Sequence, residues 1–235
     1  MLALFWRHAY VAGVGVLALS HALVLYPTLR PNVQWLGAVM TRFRTDRKDV
    51  WLTIDDGPTD DTRAVLDLFD RYNVKATFFV KGVLAASHPE LVREIVQRGH
   101  TIGNHSNTHP AGTFWCAPPA RIAREVDLCN DAVAAVAGEP PRWFRAPVGL
   151  KNPFVHPHLE RRAMRLIGWT ARGYDAVLTD PDAIAKRVLR DVKPGAILLM
   201  HQGLRHSLPS LERVIATLRA EGYAFVVPND AQLIA

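Results

Sequence analysis

The chain has 235 residues, 49% of them hydrophobic, and a formal net charge of +6. That length suits one sizeable domain, and the composition is typical of a globular protein with an additional apolar segment. The basic residues are spread along the chain and form no basic-aromatic stripe, so we expect no nucleic-acid partner.

The first predicted element is an apolar segment near the amino terminus. Residues 9–29 contain no Asp, Glu, Lys or Arg, and about 20 apolar residues are needed for a helix to cross a bilayer. A secretory signal peptide is the alternative, but the apolar part is long for one and no small-x-small cleavage site follows Tyr26. We therefore expect residues 1–31 to form a single, retained membrane anchor.

The charges on either side of this segment indicate its orientation. One basic residue, Arg7, precedes it, and the basic residues that follow it are Arg30, Arg42, Arg44, Arg47 and Lys48. An excess of Lys and Arg marks the cytoplasmic side of a membrane. We expect the domain that follows to lie on the cytoplasmic face of a bacterial inner membrane, with the periplasmic face as the alternative.

The segment after the anchor is predicted to be a short amphipathic helix. Apolar residues at helical spacing lie within residues 33–43, namely Val33, Leu36, Val39, Met40 and Phe43. Such a helix either lies on an anionic membrane surface or packs on the domain. We assign residues 32–48 to an amphipathic basic interfacial segment and residues 49–235 to the domain itself.

From about residue 49, short apolar runs alternate with amphipathic helical patterns. The predicted strands are residues 50–54, 75–80, 100–103, 142–145, 166–170, 195–200 and 223–227. Apolar residues spaced three and four apart predict helices over Val65–Tyr72, Leu91–Val96, Ile122–Val136 and Leu208–Leu218. This alternation predicts a parallel sheet, as an irregular (β/α) barrel rather than an open doubly wound sheet. In either fold, reactive groups lie at the carboxyl ends of the strands.

Two strand ends carry residues that could hold a metal ion. The sequence VWLTIDDGP places Asp55 and Asp56 at the end of the first strand, and HSNTH places His105 and His109 after the third. On a helical turn, residues four apart share one face, so the two imidazoles could bind one ion. One carboxylate of the Asp pair could complete the site while the other stays free as a base.

Three later strand ends add further groups. Arg145, in RAPVG, closes the fourth strand and could orient a carboxylate through paired hydrogen bonds. The segment WTARGYDA follows the fifth strand and offers Trp169 and Asp175. His201 ends the sixth strand in LLMHQG. It is either a core histidine or an imidazolium that protonates a leaving amine.

Taken together, these motifs resemble those of the polysaccharide deacetylases, the NodB-homology group or carbohydrate esterase family 4, over about residues 48 to 228. The resemblance implies an α/β fold, an irregular (β/α)7-type barrel. It also implies one divalent metal ion, usually zinc, with cobalt, nickel or manganese as alternatives. The implied reaction is hydrolytic removal of an acyl group from an amino sugar.

The same resemblance implies roles for individual residues. The general base would be Asp55, and Arg145 would orient it. The general acid would be His201, and Asp175 would tune it. The metal ligands would be Asp56, His105 and His109. The substrate-binding residues that we expect are Pro147, Trp169, Arg172 and Tyr174.

One motif departs from the family pattern. Arg172 stands where the family commonly has an Asp, and Ala176 stands where it has a Trp, although Asp175 keeps the second Asp. The loss of the Trp removes an apolar wall from the substrate groove, and Arg172 adds a cation that could bind a phosphate. With the anchor, it favours an N-acetylamino sugar linked to a polyprenyl phosphate, used in envelope glycolipid or polysaccharide assembly. The alternatives are a periplasmic peptidoglycan or exopolysaccharide N-deacetylase, a deformylase of a lipid-linked amino sugar, and a non-catalytic carbohydrate-binding protein.

Overall fold

The computed structural model describes the backbone of residues 2–235 and the side chains from Trp6 onward. Its first element is helix α1 (Leu2–Leu29), whose side chains from Trp6 to Tyr26 are all exposed. Among the described residues, the segment Trp6–Leu29 is the one helix long and apolar enough to cross a membrane. At about 1.5 Å per residue it exceeds the roughly 30 Å of a bilayer core. The prediction of one apolar helix near the amino terminus is therefore confirmed.

The remaining residues form an α/β barrel. Its strands are β1 (Val39–Met40), β2 (Arg42–Phe43), β3 (Asp49–Gly57), β4 (Ala76–Val80), β5 (Thr101–Asn104), β6 (Trp143–Phe144), β7 (Arg165–Ile167), β8 (Ala171–Arg172), β9 (Ala196–His201), β10 (Ala224–Phe225) and β11 (Leu233–Ile234). Its helices are α2 (Thr62–Arg71), α3 (Gly82–Ser87), α4 (Pro89–Gln97), α5 (Pro119–Ala137), α6 (Val155–Arg161), α7 (Pro181–Arg190) and α8 (Ser207–Ala220).

Strand β3 lies at the centre of the sheet. It pairs in parallel with β4 on one side and with β9 on the other. Strands β5, β6 and β7 continue the parallel sheet beyond β4, and β8 lies beside β9. The short strands β1, β2 and β11 bring the two edges together, where Thr41 N donates to Ile234 O at 2.9 Å. The result is the nearly closed, irregular (β/α) barrel that the sequence predicts.

Alternate residues of β3 face two different cores. Val50, Leu52 and Ile54 point outward and pack with the apolar faces of the helices. Trp51 points inward, where it contacts Trp143 with ring centroids 4.7 Å apart. Both faces of a parallel strand are buried in such a fold, which explains its continuous apolar run.

The predicted helix over residues 33–43 is wrong. Those residues form a turn followed by β1 and β2, which pair with β7 and β9. Val39, Met40 and Phe43 are buried in the domain, so they cannot enter a membrane surface. Their spacing matches a helix only because two short strands, separated by Thr41, bury Val39 against the helices and Met40 and Phe43 inside the barrel.

The seven strands predicted from about residue 49 onward are all present, with ends displaced by a few residues. Four further strands, β1, β2, β8 and β11, were not predicted, and each has only two residues. The four predicted helices are also present, as α2, α4, α5 and α8, whereas α3, α6 and α7 were not predicted.

We expect Leu52→Ala to lower the free energy of unfolding by about 2–5 kcal/mol, because it leaves a cavity beside the central strand. Leu52 is fully buried, whereas Leu128 is 40% exposed and supplies a matched control. Leu128→Ala should cost less than about 1 kcal/mol. Urea unfolding of the detergent-solubilised protein, followed by tryptophan fluorescence, measures both. Equal losses would contradict the central place of β3 in the core.

Candidate metal centre

Two adjacent carboxylates reach the same site because β3 ends in a bulge. The pairing of β3 with β4 shifts in register between Asp55 and Gly57, and Asp56 has a φ of 75°. A bulge turns the backbone, so consecutive side chains no longer alternate strictly between faces. Asp55 is buried and stands in register with His201 of β9, while Asp56 is partly exposed.

Asp56, His105 and His109 form a cluster that could hold a metal ion. One ligand atom from each lies within 4.8 Å of the others. Asp56 Oδ1 is 3.9 Å from His105 Nε2 and 3.7 Å from His109 Nε2. A tetrahedral zinc ion with bonds of about 2.1 Å needs donor atoms roughly 3.4 Å apart. The two distances from Asp56 are within about 0.5 Å of that spacing, and two imidazoles with one carboxylate suit an open zinc site.

The two histidines do not converge through a helical turn, as their spacing suggested. Residues 105–110 form an irregular loop in which Ser106 and His109 have positive φ values of 64° and 53°. Side chains hold this loop: Asn104 Oδ1 accepts from Ser106 N at 2.7 Å, and Ser106 Oγ accepts from His109 N at 3.0 Å. Glu125 of α5 accepts from the backbone N and Oγ1 of Thr108. The loop thus brings both rings to one point, with centroids 4.6 Å apart.

The protonation of the cluster suits metal binding. His105 Nδ1 lies 2.9 Å from the carbonyl O of Arg145. A carbonyl only accepts, so Nδ1 carries the proton and Nε2 is free as a ligand. Burial lowers the pKa of His105, and burial together with His105 lowers the pKa of His109 to about 4. Both rings are therefore neutral near pH 7, as metal ligands must be.

The carboxylate of the cluster is ionised across the same range. Burial raises the pKa of Asp56, but electrostatic interaction with His105, Lys81 and His109 outweighs burial and lowers this pKa to about 2. Lys81 stands at the end of β4, and its Nζ lies 3.0 Å from Asp56 Oδ1. Sequence reasoning missed Lys81, although its place at the end of the second predicted strand was the signal that could have found it.

Asp55 is held by a fully buried arginine. Arg145 donates from one terminal nitrogen to Asp55 Oδ1 and to Thr53 Oγ1, both at 2.7 Å. Its remaining donors bind the carbonyls of Gly168 at 2.9 Å and Ile167 at 3.3 Å. The second oxygen of Asp55 lies 3.6 Å from His105 Nε2. Arg145 therefore fixes one oxygen of Asp55 and leaves the other beside the metal cluster.

A second carboxylate–imidazole pair lies opposite. Asp175, which is buried, accepts from the backbone N of His201 at 2.7 Å and contacts His201 Nδ1 at 2.9 Å. Burial lowers the pKa of His201, but the hydrogen bond and charge of Asp175, with Asp55 and Asp56, raise it to about 9. The imidazole is therefore protonated at neutral pH. Asp175 contacts Nδ1, so Nε2 is the nitrogen that could donate a proton within the cavity.

The carboxylates and imidazoles of this site line one cavity of about 230 Å³, namely those of Asp55, Asp56, His105, His109, Asp175 and His201. Of the expected substrate-binding residues, Trp169, Arg172 and Tyr174 line it. Pro147 is buried behind the wall, which its neighbours Val148 and Gly149 form instead. The guanidinium of Arg172 lies 5.4 Å from the ring centroid of Trp169 and 3.9 Å from that of Tyr174.

Comparison with known proteins gives consistent matches. Residues 43–167 match the family model described as polysaccharide deacetylase. The chain is 35% identical over 158 residues to the chitooligosaccharide deacetylase of Bradyrhizobium sp. (strain ANU 289), a match that covers 66% of this chain and 71% of that protein. It is 34% identical to the peptidoglycan-N-acetylglucosamine deacetylase PgdA of Listeria monocytogenes over 78% of this chain and 38% of that protein.

A solved structure is also similar. The family 4 carbohydrate esterase from Streptomyces lividans, in complex with acetate, matches with a TM-score of 0.74 and 28% identity. The match covers 82% of this chain and 98% of that one.

The three-residue cluster predicts a clear pattern of metal content. We expect His105→Ala and Asp56→Ala to lower metal affinity by more than about 100-fold. Mutation of a residue that only hydrogen-bonds to a ligand already lowers metal affinity by about 10–100-fold, and loss of the ligand itself should lower it further. Asp55→Asn should keep the metal, since Asp55 is bound to Arg145. Elemental analysis after dialysis against zinc measures the content. The control is His158→Ala, because His158 pairs with Asp127 outside the cavity. Full metal content in His105→Ala would refute the site.

Proposed function

The chain belongs to the polysaccharide deacetylase family, and on that premise we propose that it removes the N-acetyl group from an amino sugar linked to a polyprenyl phosphate at a bacterial membrane. The family consists of metal-dependent hydrolases that act on N-acetylated sugars. The observation that carries the proposal is a single cavity that joins a metal-ligand cluster, two carboxylates, a protonated imidazole and a guanidinium group.

Asp56, His105 and His109 would hold the metal, and we favour zinc because two imidazoles and one carboxylate form a donor set that zinc accepts. When bound, a divalent ion supplies Lewis-acid polarisation of the acyl carbonyl and lowers the pKa of a water molecule. Tetrahedral two-His-one-carboxylate sites leave one position open for that purpose. Cobalt, nickel and manganese remain alternatives with the same ligands.

The proton transfers fall to residues of the chain itself. Asp55 acts as the general base and takes a proton from the attacking water through the oxygen that Arg145 leaves free. The water oxygen bonds to the acyl carbon as the carbon–nitrogen bond breaks. His201 gives its proton to the departing nitrogen, and Asp175 holds its ring in place. Acetate and a free amine are the products.

Two features support a substrate that carries both a phosphate and a lipid. Arg172 lines the cavity, and the guanidinium of Arg187 lies 5.5 Å from the ring centroid of Tyr174, which Arg172 also contacts. A guanidinium group suits a phosphate, which accepts several charge-assisted hydrogen bonds, and Arg187 adds positive charge near the same ring. The exposed apolar helix α1 would attach the protein to the membrane, and the basic residues after it favour the cytoplasmic face.

We divide the chain into an anchor over residues 1–31 and a catalytic domain over residues 49–235, with residues 32–48 between them. A periplasmic N-deacetylase of peptidoglycan is the second candidate. It is favoured by the 34% identity to the Listeria monocytogenes peptidoglycan deacetylase.

The substrate is tested by acetate release from the purified protein. We expect release from a polyprenyl-phosphate-linked N-acetylamino sugar in vesicles, with loss of activity on addition of a chelator. Arg172→Gln should raise KM for this substrate about tenfold or more, since a hydrogen bond between charged groups contributes about 1.5–3 kcal/mol. The control is Arg121→Gln, at an exposed position on α5. Release from peptidoglycan or chitooligosaccharides alone would overturn the choice of substrate.

The pair of His201 and Asp175 predicts the alkaline side of the pH–rate profile. A general acid must be protonated, so kcat should fall as pH rises through the pKa of His201, which Asp175 raises. Asp175→Asn removes a charged partner worth about 1.5–3 kcal/mol, so the alkaline limb should move about one to two pH units lower. Asp127→Asn, which removes the carboxylate that His158 contacts outside the cavity, is the control. An unmoved limb in Asp175→Asn would contradict the role of His201.

A further inference from the structure

The carboxyl end of α1 is bound to the catalytic domain through one buried lysine. Lys151 Nζ donates to three backbone oxygens there, those of Pro27 at 3.4 Å, Arg30 at 3.0 Å and Pro31 at 2.8 Å. The backbone N of Lys151 donates to Thr28 O at 3.4 Å. The last carbonyls of a helix lack partners within it and carry its negative dipole end, so an ammonium group is a suitable cap.

The state of Lys151 agrees with this role. Its side chain is fully buried, and burial lowers its pKa to about 8. It therefore keeps its charge at neutral pH and its three donors. Among the described contacts of this side chain, the hydrogen bonds all go to the end of α1 and the residues directly after it. The lysine thus joins two parts of the chain that are about 120 residues apart in sequence.

The joint also forms part of the cavity wall. Gly149 lines the cavity with a φ of +75°, and a β-carbon placed there would lie 2.5 Å from the Trp169 ring and 2.8 Å from Pro31. Only glycine allows these three residues to pack so closely. Asn32 Nδ2 donates to the carbonyl O of Trp169 at 2.8 Å. The residues that leave the anchor therefore touch two residues that line the cavity.

Exposed aromatic and apolar side chains surround the joint. Tyr26 and Trp35 contact each other with ring centroids 5.0 Å apart, and both are exposed. Val148 and Phe154, each about half exposed, lie within three residues of Lys151 in the chain. Tyrosine and tryptophan concentrate at the level of the lipid headgroups. We call these four exposed side chains, Tyr26, Trp35, Val148 and Phe154, the patch; Tyr26 belongs to α1 itself, and the other three lie close in the chain to residues of the joint.

We propose that Lys151 fixes the catalytic domain to the end of its anchor, and that the patch rests in the headgroup layer of the membrane with the cavity wall beside it. A flexible tether would allow the domain to turn freely, whereas a capped helix end held in the domain fixes its orientation. A lipid-linked sugar then reaches the cavity without leaving the bilayer. The inference deepens the proposed function, and rests on it only for the identity of the substrate.

The placement is tested with full-length protein in vesicles of phosphatidylethanolamine and phosphatidylglycerol. An environment-sensitive fluorophore on Phe154→Cys, in a Cys116→Ser background, should be quenched by headgroup-labelled lipids. Lys151→Met should reduce this quenching at least twofold, while Lys193→Met, at an exposed lysine, should not. A label on Glu139→Cys, exposed before the amino end of β6, should stay unquenched. An unquenched Phe154 label, or one unaffected by Lys151→Met, would overturn the proposal.

A second variant and an activity readout separate this proposal from a loss of folding. Phe154→Glu places a charge at an exposed position of the patch, and Val96→Glu does so at an exposed position of α4. Phe154→Glu should raise KM for the lipid-linked sugar about tenfold, and leave kcat/KM for a soluble chitooligosaccharide unchanged. Val96→Glu should change neither. Equal losses on both substrates would refute membrane positioning. Quenching of the Phe154 label without turnover of lipid-linked sugar would refute the proposed substrate and support the placement.

Discussion

The buried ion pair of Asp55 and Arg145 is the contact on which the rest of the site depends. Burying two charges costs several kcal/mol each, which only close geometry and further hydrogen bonds offset. Here the two groups are 2.7 Å apart, and Thr53, Gly168 and Ile167 take up other donors of the guanidinium. Because these partners belong to β3 and to the end of β7, the pair ties the central strand to a distant part of the sheet.

Arg145 also connects Asp55 with the cluster of Asp56, His105 and His109. Its side chain orients Asp55, while its carbonyl accepts from His105 Nδ1 and so leaves Nε2 toward Asp56. One residue at the end of β6 thereby sets both the position of the proposed base and the tautomer of a proposed metal ligand. A change at this residue would act on both together, because a partner left alone in the core is a buried charge without compensation.

The sequence indicated which residues meet, but not how the backbone brings them together. Ends of parallel strands lie at one edge of a barrel, so Asp55, His105, Arg145 and His201 could be placed together from strand order alone. The bulge at Asp56 depends on register with β4, and the positive φ of His109 depends on its hydrogen bond to Ser106, whose backbone N donates in turn to Asn104. Such contacts leave no periodic pattern in a sequence. The helix expected over residues 33–43 failed for a related reason, since β1 pairs with β7, more than 120 residues away in the chain.

Residues 147–152 connect the cavity with the end of α1. At one end of this loop, Val148 and Gly149 line the cavity, and at the other end Lys151 binds one carbonyl in the last turn of α1 and two directly after it. Gly149 is packed between Pro31 and Trp169. A buried ammonium group that lost its acceptors would be as costly as any unpaired buried charge. The carboxyl end of α1 therefore packs on the folded domain, and the cavity wall lies directly against the residues that follow it.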